Sequence, residues 1–207
     1  MKTVAITGGI GSGKTRVCGI LSARGIPVYD SDSAAKRLYD TDDTLPDAIE
    51  EAFGCGIRRP DGRLDREKLA SLVFPSPDRL AVLEGIVHPA VLRDFLRWRA
   101  MNEANLPDGL PSPAFFGKAP FVVLESAVIL DKPAFLSEVD RVVLVDAPLT
   151  LRLRRSCGRD GCDEGKIIER MARQHFDLSK VDAILRNAGT PEDLKAETEK
   201  VFRGLSL

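Results

Sequence analysis

The segment Gly8 to Thr15, GGIGSGKT, constrains this chain more than any other stretch. It satisfies G-x-x-x-x-G-K-[ST] in full. An apolar run, Thr3 to Thr7, precedes it, and a helical pattern from Lys14 to Arg24 follows, with Val17, Ile20 and Leu21 on one face. Each position has a physical reason. Gly8, Gly11 and Gly13 allow open or left-handed backbone, so successive N–H groups can point into one concavity. The helix behind adds its positive N-terminal end to that anion nest. Lys14 brings a compact charge to the β and γ phosphates of a nucleotide, and the Thr15 hydroxyl can ligate Mg²⁺. A strand, a phosphate-binding loop and a helix in that order commit the chain to an α/β fold that binds a nucleoside triphosphate.

The rest of the chain is consistent with such a fold. It has 207 residues, enough to bury roughly 70% of its unfolded surface without disulfides or a structural metal. Thirty Lys and Arg against 31 Asp and Glu give a net charge of −1, which excludes a broad basic face for nucleic acid. The longest apolar stretch, FVVLESAVIL, is interrupted by Glu125 and is too short to span a membrane. The N-terminus runs directly into the first strand, with no room for a signal peptide. A soluble, cytoplasmic protein is expected, with a monomer as the default. Its cysteines, Cys18, Cys55, Cys157 and Cys162, form no CxxC pair and are expected to be reduced.

Apolar runs alternate with helical patterns, as in a mainly parallel sheet covered on both faces. Ile26 to Tyr29 is a second strand. Phe121 to Leu124 and Val142 to Val145 are continuous apolar runs, and Val181 to Leu185 is a weaker fifth candidate. Thr190, Pro191, Glu192 and Asp193 mark the start of a final helix. Residues 33 to 104 read as almost wholly helical. Val91, Phe95 and Trp98 are expected on one face of a helix beginning near Pro89. Asn105 to Pro120 reads as a surface loop rich in Pro and Gly, and Arg152 to Gln174 as a charged excursion.

Transfer from a phosphate loop needs charge neutralisation and a positioned acceptor. Asp30 and Asp32 close the second strand, where ligands gather in open α/β sheets. They can orient an acceptor, or they can cap the next helix. Arg155 and Arg159 stand four apart, so on a helix they share a face suited to bidentate phosphate contacts. The same spacing also fits an exposed charged helix. No N-K-x-D follows, so a guanine-specific pocket is not expected. By these residues alone a kinase for a nucleotide or nucleoside, or a non-catalytic nucleotide-binding module, stays open.

The complete set of motifs resembles the dephospho-coenzyme A kinase family. The matching pieces, in order, are TGGIGSGKT, GIPVYDSDSAAKRL, HPAV from His88 to Val91, VDAPLTLRLRRSCGRDG, IIERMARQ from Ile167 to Gln174, and VDAILRNAGTPEDL. The resemblance implies a three-layer α/β/α fold of the P-loop NTPase type. It would have a five-stranded parallel sheet, a helical substrate-binding insertion and an arginine-bearing lid. The core would comprise about 1–32, 121–151 and 176–207, the insertion 33–120 and the lid 152–175.

The implied reaction is phosphorylation of the ribose 3′-hydroxyl of dephospho-CoA by ATP, the last step of coenzyme A synthesis. Asp32 would orient or deprotonate that hydroxyl, and Lys14, Arg155 and Arg159 would act on the phosphates. Gly9, Ile10, Gly11, Ser12, Gly13, Lys14, Thr15 and Arg16 would bind ATP, with Asn187 near the adenine and Thr15 on Mg²⁺. His88 would shape the acceptor side, although a His beside Pro also serves as a structural hydrogen-bonding residue. His175 carries no motif and is expected at the surface. The chain departs from the family's common P-L-L after the third strand, having Glu125-Ser126-Ala127 there instead. Glu125 can serve Mg²⁺ through water or pair with a lysine. Cys157 and Cys162 near the lid tip lack further ligands nearby for zinc.

Overall fold

A computed structural model describes residues 1–54, 56–105, 116–117, 120–160 and 164–207, without the side chains of Arg159, Asp160 and Lys166. Cys55, Cys162 and most of the expected 105–120 loop lie outside the described residues. Two compact units are present: Met1–Tyr29 with Asn102–Leu207, and Asp30–Met101.

The first unit is built on a five-stranded parallel sheet of β1 (Lys2–Gly8), β2 (Val28–Asp30), β3 (Phe121–Glu125), β4 (Arg141–Asp146) and β5 (Ala183–Arg186). Their order is β2-β3-β1-β4-β5. The central strands are buried on both faces, which is why they read as unbroken apolar runs. β5 is an edge strand in which only Leu185 is buried, so its sequence signal is diluted. Register sets Ile6 beside Glu125 and Gly8 beside Val145, so the ends of β1, β3 and β4 form one carboxyl edge.

Helix α1 (Lys14–Ser22) packs Val17 and Leu21, and α9 (Pro191–Gly204) packs Leu194 and Phe202, into a core with Val4, Ile6, Val123 and Val143. The Phe121 and Phe202 rings lie 6.0 Å apart. Each such fully buried side chain contributes about 1.5–3 kcal/mol. Thr190 caps α9 in a reciprocal capping box with Asp193, as its sequence predicts. Short α6 (Pro133–Leu136) leads into β4, and α7 (Leu149–Asp160) and α8 (Glu164–Ala172) form the charged excursion between β4 and β5.

The second unit is helical: α2 (Ser31–Thr41), α3 (Leu45–Phe53), α4 (Arg66–Val73) and the part of α5 (Pro77–Ala104) up to Met101. Val91 and Phe95 are buried and Trp98 stacks beside Phe95, as the spacing predicts. The start of that helix is corrected. It runs unbroken from Pro77, and Pro89 lies inside it. The apolar positions Leu83, Val87, Ala90, Val91 and Phe95 continue at helical spacing through the proline. Their joint burial outweighs the roughly 3 kcal/mol cost of an interior proline. No described helix is long and apolar enough to cross a membrane.

Candidate active site

The loop leaving β1 has the backbone its glycines allow. Gly8, Gly11 and Gly13 have φ of 151°, 74° and 97°, and Gly13 is the N-cap of α1. At Gly13 a β-carbon would collide with the Asn187 amide, and at Gly11 with the Arg152 carbonyl and Ser156 Oγ. Two independent constraints therefore require glycine at Gly11 and Gly13. Lys14 arcs back across the loop, where Nζ donates to Gly8 O at 2.8 Å and Gly9 O at 3.4 Å. Ser12 is 1% exposed, and its buried Oγ has no hydrogen-bond partner among the described residues.

The other loops at the carboxyl edge bring their residues to the same place. From the end of β3, Glu125 accepts a hydrogen bond from Thr15 Oγ1 at 2.9 Å while only 8% exposed. After β5, Asn187 is 3% exposed, its N–H donates to Asp146 O, and its Nδ2 donates to Ser12 O at 2.7 Å. From α7, Arg155 donates to Asn187 Oδ1 at 3.2 Å and Asn187 O at 3.4 Å. The phosphate loop, α7 and Asn187 border a cleft of about 590 Å³. Gly11, Gly13, Lys14, Thr15 and Arg16 line one wall, and α7 lines the other. Asn187 lines it as well.

This cleft sits where open parallel sheets bind ligands, at the carboxyl ends of strands. A loop of glycines, a helix N-terminus and guanidinium groups facing one space suits a polyphosphate. A sequence profile described as dephospho-CoA kinase matches residues 2–193. The chain belongs to the dephospho-CoA kinase family. It is 38% identical to the dephospho-CoA kinase of Porphyromonas gingivalis over 88% of this chain and 82% of that protein. It is 34% identical to the dephospho-CoA kinase of Corynebacterium glutamicum over 98% and 96% of the two chains. A crystal structure of a Thermus thermophilus protein superposes with a TM-score of 0.73 at 31% identity, covering 99% of this chain and 98% of that one.

The residues that the family resemblance singles out fall in both units. Gly9, Ile10, Gly11, Ser12, Gly13, Lys14, Thr15, Arg16, Arg155 and Asn187 are brought together in the first. Asn187 has its side chain committed to Ser12 and Arg155, so it supports the phosphate loop and an α7 arginine. Arg159 lies on the last turn of α7, but its side chain is outside those described. Asp32 and His88 belong to the second unit. There Asp30 does the capping: its carboxylate accepts from Asp32 N at 3.0 Å, Ser33 N at 3.1 Å and Ser33 Oγ at 2.6 Å. Asp32 sits on the first turn of α2, and its carboxylate accepts no hydrogen bond from the described residues of its unit. His88 is half-buried in the middle of α5, and His175 is exposed as expected.

Sequence reasoning passed over several contributors. Beside the expected Arg155, Leu151, Arg154 and Gly158 also line the cleft, and the four fall at i, i+3, i+4 and i+7 of α7, a helical face that spacing could have found. Glu125 accepts a hydrogen bond from Thr15, a partner that neither sequence reading of it, Mg²⁺ through water or a lysine, had named.

Proposed function

We propose that this chain transfers the γ-phosphoryl group of ATP to the ribose 3′-hydroxyl of dephospho-CoA, giving ADP and CoA, with Asp32 acting on the acceptor. The observation that carries this reading is the shared cleft. Lys14 and Thr15 of the phosphate loop and Arg154 and Arg155 of α7 line one space in a chain of the dephospho-CoA kinase family. In this reading the loop N–H groups and Lys14 hold the β and γ phosphates, and Arg155 and Arg159 neutralise charge as it shifts to the leaving ADP. Asp32, freed from capping by Asp30, takes the proton of the 3′-hydroxyl.

The donor set suits Mg²⁺. Thr15 Oγ1 and the Glu125 carboxylate are hard oxygens lying side by side at the end of the sheet. These two residues would hold the ion, which supplies charge neutralisation to the phosphates when bound. Residues 33–120 would carry the acceptor, with His88 shaping its site, and 152–175 would form a lid that limits water attack on ATP. The enzyme would work as a cytoplasmic monomer on small-molecule substrates, without nucleic acid or membrane.

Acceptor-dependent ADP release tests this. With Mg-ATP, dephospho-CoA should stimulate ADP formation well above the rate with no acceptor, and AMP should not. Turnover with AMP alone would point instead to a nucleotide kinase.

A further inference from the structure

Both backbone groups of Ile10, at the tip of the phosphate loop, are held by side chains from the far side of the sequence. Its N–H donates to Gln174 Oε1 at 2.8 Å, and its carbonyl accepts from Arg152 Nε at 2.9 Å. Arg152 Nη2 donates to the same Gln174 oxygen at 3.2 Å, so three residues close one hydrogen-bonded ring.

Arg152 and Gln174 are not among the residues that line the cleft, and their hydrogen bonds reach the loop at Ile10. Arg152 also explains Gly9, whose own φ needs no glycine. A β-carbon at Gly9 would overlap the Arg152 guanidinium. A loop with three glycines at positive φ loses much backbone entropy when ordered, so an external brace changes how much of its population is ready for phosphate. The brace also has a defined attachment. Arg152 lies in the first turns of α7, and Gln174 lies two residues beyond α8. The two helices of the charged excursion are thus tied at both roots to the loop.

We propose that Arg152 and Gln174 are positioning residues that hold the phosphate loop in its anion-receiving form, and that the absence of a β-carbon at Gly9 leaves the Arg152 guanidinium its place in that ring. The proposal rests on the nucleotide-site reading above, but its test does not require the acceptor. Mg-ATP affinity is measured by calorimetry for Arg152→Ala, Arg152→Lys, Gln174→Ala and the double Ala variant, each checked for native-like melting. Each single substitution is expected to weaken Mg-ATP roughly tenfold by lowering the fraction of competent loop, and the double to be little worse than either single. Arg152→Lys keeps the charge but not the planar fork, so it should behave like Arg152→Ala.

A steady-state split supports the same point: the KM for ATP rises while that for dephospho-CoA stays. Gly9→Ala should weaken ATP binding in the native background and do so much less with Arg152→Ala. Where Arg152→Ala fails to fold, Gln174→Ala carries the test. Unchanged affinity in Gln174→Ala, full rescue by Arg152→Lys, or penalties that simply add would overturn the proposal. A native enzyme that binds ATP but ignores dephospho-CoA would overturn the functional reading instead, leaving the brace to stand or fall on affinity.

Discussion

Thr15 and Glu125 are joined by a 2.9 Å hydrogen bond that connects the end of the phosphate loop to the last residue of β3. The glutamate stands at the end of an otherwise apolar, fully buried strand, where a carboxylate is costly unless it has a partner. Thr15 supplies that partner, and in the proposed reading the two oxygens would hold the divalent cation. Glu125→Gln keeps the shape and removes the charge. It is expected to raise the Mg²⁺ concentration needed for half-maximal rate and to lower kcat by about 10²-fold. A magnesium titration of both proteins checks this. Identical Mg²⁺ curves would return Glu125 to a packing role.

Lys14 places its ammonium over the carbonyls of Gly8 and Gly9, within the loop that would receive the phosphates. Lys14→Ala should lose transition-state stabilisation, seen as a fall in kcat of roughly 10²–10³-fold. Steady-state kinetics with saturating ATP separates this from weaker binding. Near-normal turnover would remove Lys14 from the site.

Asp30 and Asp32 differ in the work they do. Asp30 is spent on capping α2, and Asp32 is not. Asp32→Asn should therefore reduce kcat by about 10²–10⁴-fold with little change in ATP affinity. Asp30→Ala should instead cost about 0.5–2 kcal/mol of stability through the lost cap, seen as a lower melting temperature. Swapped phenotypes would exchange the two roles.

What the sequence made legible follows from locality. The phosphate loop is a contiguous run with one backbone solution, and the capping box of Thr190 and Asp193 spans four residues. β5 was faint because only Leu185 of its four residues is buried. The helix through Pro89 was cut short because a local proline rule met a longer apolar face. The contacts of Arg152 and Gln174 with the phosphate loop were invisible because they bond backbone atoms of Ile10, 142 and 164 positions away. No spacing rule reaches that far.

Asp193 offers a handle on acid stability. The backbone N–H of Thr190, and then its hydroxyl, hold this carboxyl below the usual Asp range. A group depressed in the folded state stabilises it above the unfolded value near 4, and that contribution is lost as pH falls through the lower folded value. Asp193→Asn should thus lower the melting temperature at neutral pH and flatten its decline below pH 5. Parallel melting curves at all pH values would show that the carboxylate adds nothing to the cap.

The most direct measurement is the identity of the phosphorylated product. Purified protein is incubated with Mg-ATP and dephospho-CoA, and the products are resolved by mass spectrometry and ³¹P NMR. The predicted result is CoA bearing its new phosphate on the ribose 3′ position, formed one-for-one with ADP. ADP accumulating without CoA, or phosphate attached elsewhere, would contradict the assignment of the acceptor.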